Sequence, residues 1–125
     1  MKFRIEMTQD QLLVLSDALE AYSRIGMGQL DVVIGDHIRW HMDLDPNQRL
    51  LAEAHIAGLK QAAWGHAEHS SWSIGNPQVP ARFREAYDIQ QVVRQALAPP
   101  STYERAYYPT HPEWPPVVIT TVPEE

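Results

Sequence analysis

The chain has 125 residues, a formal net charge of −6 and no cysteine. This length predicts a single domain, and the lack of cysteine excludes disulfides, thiolate nucleophiles and cysteine-ligated metals within it. The acidic balance disfavours general nucleic-acid binding, which needs a basic surface. The polar N-terminal segment is not typical of a signal peptide and no apolar run has the length of a membrane span, so we expect a cytoplasmic protein without membrane contact.

Two β-type segments lie near the ends of the chain. Residues 2–7 alternate polar and apolar side chains, and all six residues of 117–122 are β-branched. We expect them to pair as a short terminal β-ribbon. Seven of the ten prolines and three of the five tyrosines lie in residues 99–125, which predicts an extended C-terminal arm. This arm would pack on the helical domain, residues 1–98, or on a neighbouring subunit.

Four helices are indicated by hydrophobic spacing and by capping residues, so we expect a mainly α protein with a compact bundle. Thr8 and Gln11 form a capping-box pattern that starts the first helix, which ends near Ile25 before a glycine corner. The second helix follows after a break of two or three residues. The predicted core face of the first helix consists of Leu12, Leu15, Leu19 and Tyr22. That of the second helix consists of Leu30, Val33, Ile34, His37, Ile38 and His41.

Asp45 followed by Pro46 predicts the start of a third helix, which runs to about Gly65. Residues 66–77 have no hydrophobic period and are rich in turn formers, which indicates a loop. A fourth helix is predicted from Pro80 onwards. The predicted apolar faces are Leu50, Leu51, Ala54, Gly58, Leu59 and Ala62 with Trp64 in the third helix, and Phe83, Ala86, Tyr87, Ile89, Val93 and Leu97 in the fourth.

Histidines give one possible metal site. His37 and His41 stand four residues apart on the second predicted helix, and His66 and His69 could supply further ligands for zinc or manganese. The pattern lacks the Glu that follows the first His in zinc-hydrolase helices, and a histidine on an apolar face is more often a core residue. We therefore predict no metal or cofactor, with a metal-dependent phosphodiesterase-like hydrolase as the alternative.

Arginine occurs eight times and lysine twice. Guanidinium groups bind phosphate in a bidentate manner and stack on flat bases, so arginines beside aromatic and amide side chains are suited to a nucleotide pocket. The competing interpretation is surface arginines in salt bridges together with core aromatics. The candidates are Trp72, Tyr87 and Asn76, with the arginines Arg24, Arg39, Arg82, Arg84 and Arg94.

Two parts of the chain resemble a family of small proteins found in phages and prophages. The first is residues 18–30, ALEAYSRIGMGQL, and the second combines residues 71–77, SWSIGNP, with residues 86–94, AYDIQQVVR. The family has no settled activity. By analogy of class, small helical phage proteins include counter-defence sponges that withhold cyclic nucleotide or cyclic ADP-ribose signals from host immune effectors. The resemblance adds Tyr22 and Gln29 to the candidate ligand-binding residues.

These observations favour a phage-encoded, non-catalytic binding protein that sequesters a nucleotide-derived immune signal in the infected bacterial host. We expect it to be a homo-oligomer. Ser70, Ser71 and Ser73 do not form a nucleophile-elbow pattern, which argues against a serine hydrolase. A protein–protein inhibitor or structural phage protein is a further alternative, with the tail and exposed tryptophans as its interface.

Overall fold

The computed structural model describes residues 1–98 and 117–123. The described residues form four helices: α1 (Gln9–Gly26), α2 (Leu30–His41), α3 (Pro46–Trp64) and α4 (Ala81–Leu97). The mainly helical fold is confirmed, with helix boundaries close to those predicted from the sequence. None of these helices combines the length and apolar character needed to cross a membrane.

Capping boxes fix the starts of α1 and α3. The Thr8 hydroxyl accepts a hydrogen bond from the Gln11 backbone N–H at 3.1 Å, and the Gln11 side chain accepts one from the Thr8 N–H at 2.9 Å. Asp45 and Gln48 make the same reciprocal pair at 2.9 and 3.1 Å. Each box satisfies backbone donors that a helix leaves unpaired at its N-terminus. The chain therefore encodes both helix starts locally.

The helices pack as two pairs, α1 with α4 and α2 with α3, and α1 also contacts α2. The buried positions of α1 are small: Ser16, Ser23 and Gly26. The ring of Phe83 in α4 occupies the space that a Cβ atom on Gly26 would need. Small residues on α1 thus allow α4 to approach closely.

Leu30 and Ile38 of α2 meet Ile56 of α3 in a buried apolar cluster, against which Leu44, Ala52 and Trp64 pack. Lys60 is also buried in this half of the molecule, at 1% exposure. Its ammonium group donates to the Asp31 carboxylate and to the backbone carbonyl of Glu68. The second helix pair therefore combines a small apolar core with an internal ion pair.

Several predicted apolar faces are wrong. The predicted face of α3 points outwards, with Leu50 at 66%, Leu51 at 61% and Leu59 at 51% exposure, whereas Ile56 and Lys60 are buried. This helix carries apolar residues around most of its circumference, so spacing alone does not select the buried side. The predicted core positions Tyr22, Ile34, His37 and His41 are also exposed.

The predicted β-ribbon is not confirmed: residues 1–8 and 117–123, as the structure describes them, contain no strand. Phe3 and Ile5 are each 79% exposed, and Val118 is also 79% exposed. An isolated two-stranded ribbon needs a buried face to be stable in water, and these segments have none. The greater part of the predicted Pro/Tyr-rich arm, residues 99–116, lies outside the described residues.

Candidate functional site

The corner between α1 and α2 holds the connecting segment 65–80 against the helices. Gly28, in the left-handed region at φ 80°, donates from its N–H to the Ile25 carbonyl at 3.0 Å. The carbonyl of Met27 accepts from the Trp72 N–H at 3.0 Å. This last bond brings side chains from two distant parts of the chain together. We call Arg24, Gln29, His66, Ser71 and Trp72 the corner cluster.

A chain of polar contacts runs through the corner cluster. Arg24 pairs with Glu20 through Nε at 3.1 Å and Nη2 at 2.9 Å. Its remaining Nη1 atom donates to Gln29 Oε1 at 2.6 Å, and Gln29 Nε2 donates to the Ser71 hydroxyl at 3.2 Å. The Arg24 and Glu20 side chains are 34% and 45% exposed, so this ion pair is open to water. The guanidinium is held in one orientation while it remains accessible.

Trp72 and His66 form the aromatic half of the corner cluster. Their ring centroids are 4.9 Å apart at an interplanar angle of 85°, an edge-to-face contact. His66 is buried at 8% exposure, and its Nε2 atom has no hydrogen-bond partner in the described part of the chain. Trp72 is half-buried. The His66 ring supports the indole from the interior, and part of the indole remains open to solvent.

Tyr22, Arg82 and Arg84 lie next to this corner. The Tyr22 ring packs on Phe83 with the centroids 4.7 Å apart, and Arg82 and Arg84 flank Phe83 in the first turn of α4. Arg82 is exposed, and Arg84 is half-buried with an Nε atom that has no hydrogen-bond partner among the described residues. Two further guanidinium groups therefore begin the helix that packs on α1.

Three other predicted site residues are placed differently. Asn76 Oδ1 accepts from the Gln78 N–H at 2.8 Å, so its side chain serves a turn. Tyr87 is half-buried one turn beyond Phe83. Arg94 lies in the last turn of α4, about 15 Å along the helix axis from Arg84. The structure joins Arg24 and Gln29 by a hydrogen bond and ties the Trp72 backbone to nearby Met27, whereas Arg94 lies at the other end of α4.

A cleft of about 280 Å³ lies between α2, α3 and the segment that follows α3. Its charged lining is mostly acidic and comprises Asp31, Asp36, Glu53, Glu68, Arg39 and His69. Burial acts to raise the pKa of Asp31, but the Lys60 hydrogen bond, a backbone hydrogen bond and the nearby cationic charges together lower it. Because ionised carboxylates repel phosphate, this cleft is unsuited to a nucleotide. Arg39, which pairs with Glu53 at 3.7 Å, belongs to this cleft and not to the corner.

The four histidines that could act as metal ligands do not lie together. The rings of His37 and His41 are 5.5 Å apart on the exposed side of α2. His69 lies near Asp31 at 3.9 Å, whereas His66 packs on Trp72. Within residues 1–98 and 117–123, no three His, Asp or Glu side chains form a group that could hold a metal ion.

Sequence reasoning missed two members of the corner cluster as binding residues. The sequence patterns do not indicate Ser71 or His66 as a ligand-binding residue. The contact that recruits both is a backbone hydrogen bond between Trp72 and Met27, which no side-chain pattern reveals.

Comparisons of the chain with protein-family models, with curated proteins and with solved structures found no match. The functional interpretation of the corner cluster therefore depends on its geometry and chemistry.

Proposed function

We propose that the chain is a phage-encoded, non-catalytic binding protein that sequesters a nucleotide-derived immune signal at the corner cluster. The observation that carries the proposal is the Arg24–Gln29–Ser71 hydrogen-bond chain, which ends at the residue before half-buried Trp72. The chain of bonds joins a guanidinium, an amide and a hydroxyl, and the indole belongs to the next residue along the chain. These groups match the phosphate, the base edge and the base face of a nucleotide.

The charge of Arg24 is available to a phosphate through exchange of partners. Its present partner, Glu20, is a half-exposed side chain one helical turn away, and such i,i+4 pairs contribute only about 0.3–0.5 kcal/mol. A bidentate contact with a phosphate is stronger than this pair. Arg82 and Arg84 add positive charge at the start of α4. A ligand with two phosphates could therefore engage more than one arginine.

Trp72 offers a stacking surface that is already ordered. Its backbone is bonded to Met27, and its ring is supported by His66, so little conformational entropy remains to be lost on binding. Stacking of a base on an aromatic ring contributes about 1–3 kcal/mol. The His66 Nε2 atom lies close to Gly28 and has no hydrogen-bond partner among the described residues, so it is a further group that a bound ligand could satisfy after local rearrangement.

The hydrogen bonding of the Ser71 hydroxyl favours binding without bond cleavage. Ser71 Oγ accepts a hydrogen bond from Gln29 Nε2, whereas a serine nucleophile is oriented by a base that takes its proton. The role proposed for Ser71 is therefore that of a polar contact. A ligand held in this way would be released intact on unfolding.

The test is thermal denaturation of the purified protein with cyclic dinucleotides and cyclic ADP-ribose isomers, followed by heat release and mass spectrometry. We expect one of these compounds to raise the melting temperature and to be recovered intact. A ligand at a hundredfold excess over its Kd stabilises the native state by about 2.7 kcal/mol. Recovery of a cleaved product would overturn the non-catalytic role, and no shift with any compound would overturn the proposal.

Matched variants locate the site. Arg24→Ala and Trp72→Ala should each abolish the ligand-induced shift, because they remove the phosphate contact and the stacking surface. Arg4→Ala and Trp40→Ala are the controls, since Arg4 is exposed near the N-terminus and Trp40 is 72% exposed on α2. Retention of the full shift in Arg24→Ala and Trp72→Ala would place the ligand elsewhere.

A further inference from the structure

Two exposed histidines on α2 form a pair that the proposed function does not use. His37 and His41 are about one helical turn apart, and both side chains are exposed. Their ring centroids are 5.5 Å apart, and the ring planes are inclined at 30°. Within the described part of the chain, no hydrogen bond or ion pair involves either imidazole. In the neutral form, the unprotonated nitrogen of each ring is therefore available to a ligand from solution.

The separation of the two rings fits a single metal ion between them. Side chains at positions i and i+4 of a helix lie on the same face. Zinc binds imidazole nitrogen at about 2.0–2.1 Å, so two imidazoles at a tetrahedral angle around one ion have ring centroids about 5 Å apart. The observed separation of 5.5 Å is close to this value. Because exposed side chains change rotamer rapidly, both rings can direct a nitrogen to the ion without a change in the backbone.

The chemistry of the two donors selects the class of ion. Imidazole nitrogen is a good ligand for zinc, copper and nickel, whereas magnesium and calcium prefer oxygen ligands. The net charge of −6 also favours the approach of a cation. The histidine pair is therefore suited to a divalent ion from the end of the first transition series.

We propose that His37 and His41 chelate one divalent transition-metal ion of this class, such as zinc, on the exposed side of α2. The two imidazoles supply two ligands, and water supplies the others. A catalytic zinc site has three protein ligands, whereas no third His, Asp or Glu among the described residues joins this pair. Binding at the pair is therefore reversible, and it is weaker than at a structural zinc site with four protein ligands.

This metal site is independent of the proposed ligand site, since neither histidine belongs to the corner cluster. The Arg24→Ala variant should therefore bind zinc with the Kd of the wild type. Loss of the nucleotide-dependent shift would leave the metal site intact, and loss of zinc binding would leave the corner cluster intact. The two proposals can thus fail separately.

The proposal is tested by isothermal titration calorimetry of the untagged full chain with zinc chloride. We expect one saturable site per chain and no binding of magnesium chloride. His37→Ala and His41→Ala should each raise the zinc Kd by about tenfold or more, because a single imidazole cannot chelate the ion. His55→Ala is the matched control, since His55 is an exposed histidine on α3 with Leu51 and Leu59 four residues to either side. It should leave the zinc Kd within about twofold.

A double variant tests the spacing of the pair. Asp36→His combined with His37→Ala keeps two histidines on α2 but sets them five positions apart, so that they point to different sides of the helix. It should bind zinc no more tightly than His37→Ala, and circular dichroism should show that all variants keep their helical content. Absence of saturable zinc binding by the wild type would overturn the proposal. Wild-type affinity in the double variant, or equal weakening by His55→Ala, would overturn it as well.

Discussion

The ammonium group of Lys60 in α3 lies 2.7 Å from Asp31 Oδ1 at the start of α2, and it also donates to the Glu68 carbonyl at 2.8 Å. The two partners differ in burial: the Lys60 side chain is 1% exposed and the Asp31 side chain is 30% exposed. The Lys60 ammonium is therefore solvated by protein groups, whereas the Asp31 carboxylate retains contact with water. This asymmetry determines how each substitution should behave.

Asp31→Ala should destabilise the protein by about 3 kcal/mol, because it leaves the buried Lys60 ammonium without its counterion. Lys60→Met should cost only about 1 kcal/mol, because water can hydrate the partly exposed Asp31 carboxylate. Urea denaturation followed by circular dichroism gives both free energies of unfolding. The double variant should be more stable than Asp31→Ala alone. Additive losses would show that the two side chains are not coupled.

The same pair makes stability depend on pH. Although burial acts to raise the pKa of Asp31, Lys60 and the other favourable contacts hold it below the ordinary value of 3.8. The contribution of this carboxylate to the free energy of unfolding is therefore complete above its unfolded-state pKa. It is lost as the pH falls through its folded-state pKa. We expect the stability difference between wild type and Asp31→Asn to be constant near neutrality and to shrink below about pH 4. If this stability difference instead grew on acidification, the pKa of Asp31 would not be lowered in the folded protein.

The capping box of α3 gives a local prediction. Asp45→Ala should cost about 1 kcal/mol, since it removes the acceptor for the Gln48 backbone N–H at 2.9 Å. Asp45→Ser keeps an oxygen at the cap and should lose much less. Thermal melts of the two variants at one pH provide the comparison. Equal losses would show that the negative charge, and not the hydrogen bond, stabilises the helix start.

The sequence predicted the helices well because their signals are local. Thr8 with Gln11 and Asp45 with Gln48 are capping pairs within four residues, and the structure contains both sets of hydrogen bonds. The buried side of α3 was not predictable in this way. Apolar residues lie on both sides of that helix, and only its contact with α2 selects Ile56 for burial.

The candidate site was predictable in part. Arg24 and Gln29 are close in sequence, so a pairing between them is compatible with a local corner. Their link to Ser71 spans 42 residues and depends on how segment 65–80 returns to Met27. The ion pair between Lys60 and Asp31 also depends on tertiary packing. Long-range polar contacts of this kind leave no period or spacing in the sequence.

Two glycine substitutions should change stability in opposite directions. Gly26→Ala should destabilise the protein by about 1–3 kcal/mol, because the new methyl group would occupy the position of the Phe83 ring where α1 and α4 meet. Gly35→Ala should stabilise it by about 0.5–1 kcal/mol, since Gly35 lies within α2 and an added Cβ meets nothing within 4 Å. Free energies of unfolding from urea titrations measure both changes. Phe83→Leu should relieve part of the loss in Gly26→Ala, because a smaller side chain leaves room for the methyl group. If the double variant instead lost the sum of the two single costs, the close approach of α1 and α4 at Gly26 would not be what limits this position.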